Sequence, residues 1–422
     1  MVTAVLFMLV AGVLPEGARI VEARCMACHQ AGGIAPMAFD SVRAIRPWAK
    51  AMSQSIRKGT MPPWHADEAS SEHLAQVRAL TEGEKKTLLT WLDSPDLSKQ
   101  NFILTPPRAA AGWQLGTPDL ILRIPAAEIP AAGTLQYTFL VSRLNFETDR
   151  WIAAAEWKID QTQVVHHINA FVRPPGSSYV REAPVGQLYV ASRAERAARR
   201  PEEREIDRRE LLLGYEPGYQ PQGWGAGRAK LIRAGSDMVF EIHYTANGKA
   251  TRDSSELGLY FARSAPRERV LTISPADANL VIPPGEANYE SRVSATLLDE
   301  AKLVSMQPHM HLRGKAYRIE LNGTRRLLDV PRYDFNWQTT YFFKEPLLLR
   351  KGDTLQCTGW FDNSANNRFN PDATKTIYWG DQSWEEMNVG FMEIAIPAGR
   401  DADVVKLSGT TRPAGGRAEN PR

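Results

Sequence analysis

Cys25-Met26-Ala27-Cys28-His29 constrains this chain more than any other stretch, because two thiols at this spacing with an imidazole directly behind them make the motif that attaches a c-type haem. The thiols form thioethers to the haem vinyls, and the adjacent His supplies one axial ligand to iron. A second ligand has to come from elsewhere. Met61, in Gly59-Thr60-Met61-Pro62-Pro63-Trp64, stands on a proline-rich loop and is the expected partner, with Met37 and His65 as competitors. Without haem, the same cysteines read as a redox pair or as part of a zinc site. The remaining cysteine, Cys357, lies in the strand-like run Thr354-Leu355-Gln356-Cys357-Thr358 and reads as a buried free thiol. Three cysteines in 422 residues exclude a disulfide framework.

Around the motif, in an expected haem domain of residues 15–105, residues 15 to about 104 read as helical. Val42, Ile45, Ala49, Met52 and Ile56 recur at spacings of three and four, and Thr81 with Glu84 forms a capping box ahead of Leu88, Trp91 and Leu92. Pro95 stops that helix. A haem motif on the first helix, a Met on a later loop and a closing helix resemble the small class-I cytochromes c. His73, on a polar segment, reads as a surface histidine. Val2 to Leu14 is apolar, too short to span a bilayer, and suits the core of a secretory signal in residues 1–14. No basic residue precedes it, Arg19 being the first, so a buried N-terminal helix or strand is the other reading. The expected mature protein is periplasmic or secreted, with no stable membrane span.

The chain is too long for one ordinary core, and its 43% apolar and 23% charged residues are those of folded globular domains. A net charge of +3 is too mild to imply nucleic acid, so none is expected as a partner, and the dense charge run Arg193 to Glu210 mixes both signs as a solvated insertion does. After a linker at 106–112, short alternating segments replace the helical pattern, with Asn247-Gly248 and Asn322-Gly323 as turn signals. This much β pattern exceeds one sandwich. The expected division is 113–265 and 266–411, near Ser264-Ala265-Pro266-Arg267, with a flexible tail at 412–422.

Five of the eight histidines fall in three motifs of this β region. His309-Met310-His311 is His-x-His in the extended run Met306 to Leu312, where alternation directs both rings to one face. A nearby thioether would bias such a pair toward copper, because soft sulfur suits Cu(I). His166 and His167 are neighbours, and neighbours on a regular strand point to opposite faces; they can share an ion only across a bulge or sharp twist. His243 sits opposite the apolar row Met238, Phe240, Ile242.

Val164-Val165-His166-His167, Glu241-Ile242-His243-Tyr244, His309-Met310-His311 and Glu385-Glu386-Met387 resemble, in order and approximate spacing, the ascorbate-dependent type II copper monooxygenases. Peptidylglycine α-hydroxylating and dopamine β-monooxygenases are examples of that family. The resemblance covers residues 113 to about 410 and implies two jelly-roll sandwiches, each holding one copper. It implies that His166, His167 and His243 hold an electron-relay copper, and that His309, His311 and Met387 hold the oxygen-binding, catalytic one. Two departures argue against a peptide substrate: Gln307 stands where the peptide-hydroxylating members have a carboxylate-binding Arg, and Phe391 where they have a Tyr.

The expectation is therefore a multidomain protein: a small all-α haem domain followed by two all-β jelly-roll sandwiches, with one c-type haem and two copper ions. It would be a copper-dependent monooxygenase hydroxylating a C–H bond of an unidentified small organic substrate with O2. Electrons would come from an external donor through the haem. The alternatives are a non-catalytic periplasmic electron-transfer or copper-binding protein, and a copper oxidase or reductase acting on a small inorganic species.

Overall fold

A computed structural model describes residues 14–106, 112–177, 179–191, 211–219 and 221–408. The signal segment up to residue 13, linker residues 107–111, the charged run 193–210 and the tail 412–422 lie outside the described residues. Helices at the N-terminal end are followed by a large all-β region with several sheets. The described residues form two compact units, one drawn from 14–64 and 78–106, the other from 65–77 and 112–408.

In the first unit the helices Glu16–Arg24, Ala49–Lys58 and Glu82–Leu92 surround a core that includes Ile20, Val21, Met26, Ile45, Ile56, Leu88 and Trp91. Gly17 allows the first and last of these to touch, since a Cβ there would lie 2.5 Å from the Trp91 side chain. The periodic run from Val42 to Ile56 is not one helix. It breaks into Val42–Ile45, a 3-10 turn Arg46–Trp48 and Ala49–Lys58, because Pro47 has no N–H to continue the ladder. The capping box is present: Glu84 N–H donates to Thr81 Oγ1 at 3.1 Å, and Thr81 N–H donates to Glu84 at 2.9 Å. Gly59, at φ +66°, closes Ala49–Lys58 and turns the chain into the Met61 loop.

In the second unit a five-stranded sheet ordered Leu188–Tyr189, Thr138–Arg143, Asp237–Tyr244, Val165–Arg173, Leu211–Tyr215 faces part of a nine-stranded sheet. Leu140, Ile168, Met238, Phe240 and Ile242 from the first meet Ile152, Trp157, Leu257 and Leu259 from the second in one core. Another five-stranded sheet, Arg325–Val330, Gly314–Leu321, Thr354–Phe361, Tyr289–Leu297, Val405–Ser408, covers the far part of the large sheet. Cys357 is fully buried at that contact, where a Cβ on Gly390 would come within 2.5 Å of its sulfur. Asn322 and Gly323, both at positive φ, turn Gly314–Leu321 into Arg325–Val330.

The large sheet does not stop where the sequence suggests a division. Arg228–Ile232 pairs in parallel with Glu268–Ile273, so one sheet runs through both halves of the β region. A buried charge pair sits at this seam. Lys230 Nζ contacts Glu393 at 2.7 Å and donates to the Leu211 and Leu212 carbonyls at 3.1 and 2.8 Å and to Thr272 at 2.9 Å. Glu393 also accepts from Trp224 Nε1 at 2.9 Å and Ser305 Oγ at 3.0 Å. Breaking such a pair leaves an uncompensated buried charge, so Lys230→Met is expected to cost about 3–5 kcal/mol. Lys230→Met/Glu393→Met should recover most of it. Urea unfolding midpoints check both, and a single variant as stable as the parent would contradict the role given to the pair.

Residues 65–77 belong to the β unit although they lie within the helical stretch of the sequence. Asp67 N–H donates to the Asp329 carbonyl at 2.9 Å, and Ala75 N–H to that of Phe342 at 2.7 Å. His73 is not a surface residue: it is half-buried, its Nε2 bonds the Leu327 carbonyl at 2.8 Å, and its ring stacks on Phe343 at 5.3 Å. The polar flanks that suggested exposure are instead satisfied by the edges of Arg325–Val330 and Tyr341–Leu349.

Candidate metal and haem centres

Val165–Arg173 and Asp237–Tyr244 are adjacent antiparallel strands, with His243 directly opposite His167. One step on, Tyr244 faces Val165, so His166 is an extra residue in its strand. This bulge removes the alternation that would send His166 and His167 to opposite faces. Their Nδ1 atoms lie 3.1 Å apart, and donor atoms of His166, His167 and His243 all fall within 4.8 Å of one another. Tyr137 stacks on His243 at 4.9 Å and leans on His167 at 5.3 Å, fixing both rings.

The three rings are almost entirely buried. Burial pushes the His166 imidazole down to about 4 and that of His243 to about 3, and it lowers His167 as well. All three are therefore neutral near pH 7, the form whose nitrogen lone pair can ligate a metal. Among the described residues, His166 Nε2 and His243 Nδ1 are buried without a hydrogen bond. Buried ring nitrogens are normally satisfied, and a cation among these three rings would take one nitrogen from each.

The second histidine set forms where Ala301–His309 ends. Met310 turns into the core, where Gly359 makes room for it: a Cβ there would be 3.0 Å from the Met310 sulfur. His309 and His311 meet edge to face at 5.1 Å. His309 Nδ1 lies 2.5 Å from Gln338 Oε1, and His311 Nδ1 lies 3.1 Å from the Glu385 carbonyl. Each carbonyl oxygen selects the tautomer protonated at Nδ1 and so leaves the lone pair on Nε2. His311 Nε2 is buried and makes no hydrogen bond among the described residues, and burial also holds this imidazole neutral.

Met387 is buried one residue beyond Glu386. The Glu386 carboxylate, itself fully buried, accepts from the N–H groups of His311 at 2.8 Å, Arg313 at 2.6 Å and Met387 at 3.3 Å. One side chain thus ties the His311 segment to the Met387 segment. Two imidazoles with a thioether on the tied segment are a donor set for Cu(I), and the three-imidazole set suits copper or zinc alike. Glu386, Gln338, Tyr137 and Phe335 were given no role by sequence reasoning. Glu386 alone carried a signal, as the neighbour of Met387 in a motif.

The two sets are neighbours. His309 and His311 both disfavour protonation of His167, after burial and the nearer histidines. Phe335 stacks on His166 at 4.6 Å and meets His311 edge-on at 6.0 Å. Gln307 Nε2 donates to Glu216 and, at 3.1 Å, to the Gln338 carbonyl, so it presents no cation where a carboxylate-binding Arg would stand.

In the helical unit, Cys25, Cys28 and His29 follow directly on Glu16–Arg24, with His29 N–H donating to the Cys25 carbonyl at 3.0 Å. His29 Nδ1 lies 3.2 Å from the Met37 carbonyl, and its ring stacks on Phe39 at 4.3 Å and 7°. That contact again leaves Nε2 as the ligating nitrogen, which fits an axial haem ligand. Gly33 is required beside the motif, because a Cβ there would lie 2.3 Å from the Cys28 carbonyl oxygen. Cys25 is pushed up to about 12 by burial and stays a thiol until it is modified. Met61 is half-buried just past Gly59. Met37 packs on the helical core, and His65 belongs to the β unit.

No curated protein matches the chain. Among solved structures, the major capsid protein P2 from Bacteriophage PM2 aligns at 11% identity over 63% of this chain and 99% of that one, with a TM-score of 0.26. No described helix is long and apolar enough to cross a membrane. Residues 12–79 match the family described as cytochrome C oxidase, cbb3-type, subunit III, and with Cys25-Met26-Ala27-Cys28-His29 inside that stretch the N-terminal part of the chain is a cytochrome c domain, a carrier of electrons by haem.

Proposed function

We propose that this chain is an exported copper monooxygenase in which the cytochrome c domain feeds electrons to two copper ions held in paired jelly-roll sandwiches. The observation that carries the reading is the pair of adjacent histidine sets, in which the buried ring nitrogens His166 Nε2, His243 Nδ1 and His311 Nε2 make no hydrogen bond among the described residues. Copper bound there supplies reductive activation of O2 for attack on a C–H bond, and haem supplies the electrons. The residues do the rest. His166, His167 and His243 hold the relay ion, with Tyr137 fixing two of the rings. His309, His311 and Met387 hold the catalytic ion, with Gln338 and Glu386 setting ring tautomer and strand spacing. In the haem domain Cys25 and Cys28 take the thioethers, His29 one axial position and Met61 the other. The substrate is a small organic molecule without a carboxylate that needs an Arg, because Gln307 is neutral and already engaged.

The test is isotopic. Full-length protein matured with haem in an exporting host should bind two copper ions per chain, and under 18O2 with a reductant it should place label in an organic product during a screen of periplasmic metabolites. Two bound copper ions without label from any donor would replace this reading with a non-catalytic electron carrier.

A further inference from the structure

We propose that Phe335 is the bridge through which an electron passes between the two histidine sets, an inference that rests on both sets holding copper. Its ring is in contact with one imidazole of each set, at 4.6 Å from His166 and 6.0 Å from His311. Electron tunnelling weakens far more steeply across an empty or loosely filled gap than across packed atoms. The ring therefore defines a packed route of two contacts where a missing side chain would leave a gap.

The loop that carries Phe335 is held by the site itself. Tyr333 donates its hydroxyl to the Met310 carbonyl at 2.7 Å and accepts from Met310 N–H at 3.0 Å, between the two ligating histidines. Two residues past Phe335, Trp337 N–H closes a turn on the Asp334 carbonyl at 2.9 Å. Gln338 Nε2 donates to the Phe335 carbonyl at 3.1 Å while its Oε1 lies 2.5 Å from His309 Nδ1. The amide that orients His309 thus also fixes the backbone of Phe335. A side chain that merely filled a loop would need none of these links to the ligands.

The step moves one electron and no atoms. The ion held by His166, His167 and His243 goes from Cu(I) to Cu(II), and the ion held by His309, His311 and Met387 goes from Cu(II) to Cu(I).

Freeze-quench paramagnetic resonance on the full-length, haem- and copper-loaded protein tests this without turnover. Fully oxidised protein is mixed with limiting ascorbate, and loss of each Cu(II) signal is followed in time. Phe335→Ala should keep two copper ions and the rate at the three-histidine ion, but slow reduction of the other ion by an order of magnitude or more. That slow rate should approach the one in His166→Ala/His167→Ala, where only direct reduction remains. Phe335→Leu, which refills the space, should recover part of the loss. Unchanged reduction in Phe335→Ala with both ions bound overturns the bridge alone. Failure of the unmodified chain to take up two copper ions overturns the metal assignment and the bridge together.

Discussion

Replacing His243 with Ala is expected to lower copper from two ions per chain to one and to leave the sulfur-ligated ion untouched. His243 is the single donor contributed by its strand, opposite His167 in register and stacked on Tyr137. Its removal leaves two adjacent rings from one bulge, too few for a three-coordinate site, while the backbone pairing of the two strands remains. Losing a ligand should exceed the 10–100-fold weakening typical of losing a supporting contact, so affinity at that site should fall by about two orders of magnitude or more. Metal analysis after dialysis reads the stoichiometry, and Cu(I) X-ray absorption reads the survivor. The Cu–S component should persist in His243→Ala and vanish in Met387→His. Loss of both ions in His243→Ala would mean that the two sets form one indivisible centre, and Cu–S persisting in Met387→His would remove Met387 from the ligands.

Haem incorporation should be all or none. With Cys25→Ala/Cys28→Ala, or in a cytoplasm lacking cytochrome c maturation, the purified chain should be colourless, because a covalent haem needs the thiols and the machinery that joins them. Haem that resists acid extraction from such protein would contradict this. Met61→Ala tests a different bond. It should retain covalent haem, lose the Met-ligated low-spin spectrum and drop in reduction potential, since thioether ligation raises the potential. An unchanged spectrum would pass the role to Met37 or His65, the competing ligands.

Much of this was legible residue by residue. The haem motif is read from its spacing alone because thioether attachment and axial ligation use neighbours in sequence, and the cytochrome c match covers those residues. The capping box at Thr81 and the turn at Asn322-Gly323 are also local, their geometry being set within four residues. At His166 and His167 the sequence went further: neighbours that share a site require a distorted strand, and the strand is bulged there.

What sequence could not contain is which distant groups complete each environment. Pro47 divides a run that looked continuous, and His73, polar by its neighbours, is anchored on strands more than 250 positions away. The single sheet through both halves depends on the parallel pairing of Arg228–Ile232 with Glu268–Ile273, which no alternation pattern encodes. The sequence by itself determined the donor atoms, since sulfur and imidazole chemistry belongs to the residue. Tertiary structure decided their poise. Burial makes the His166, His167, His243 and His311 imidazoles neutral, Gln338 and Glu385 choose the tautomers of His309 and His311, Glu386 ties Met387 to His311, and Phe335 lies between the two sets. Solvation, hydrogen bonding and packing are properties of what surrounds an atom in space, and only folding assembles those surroundings.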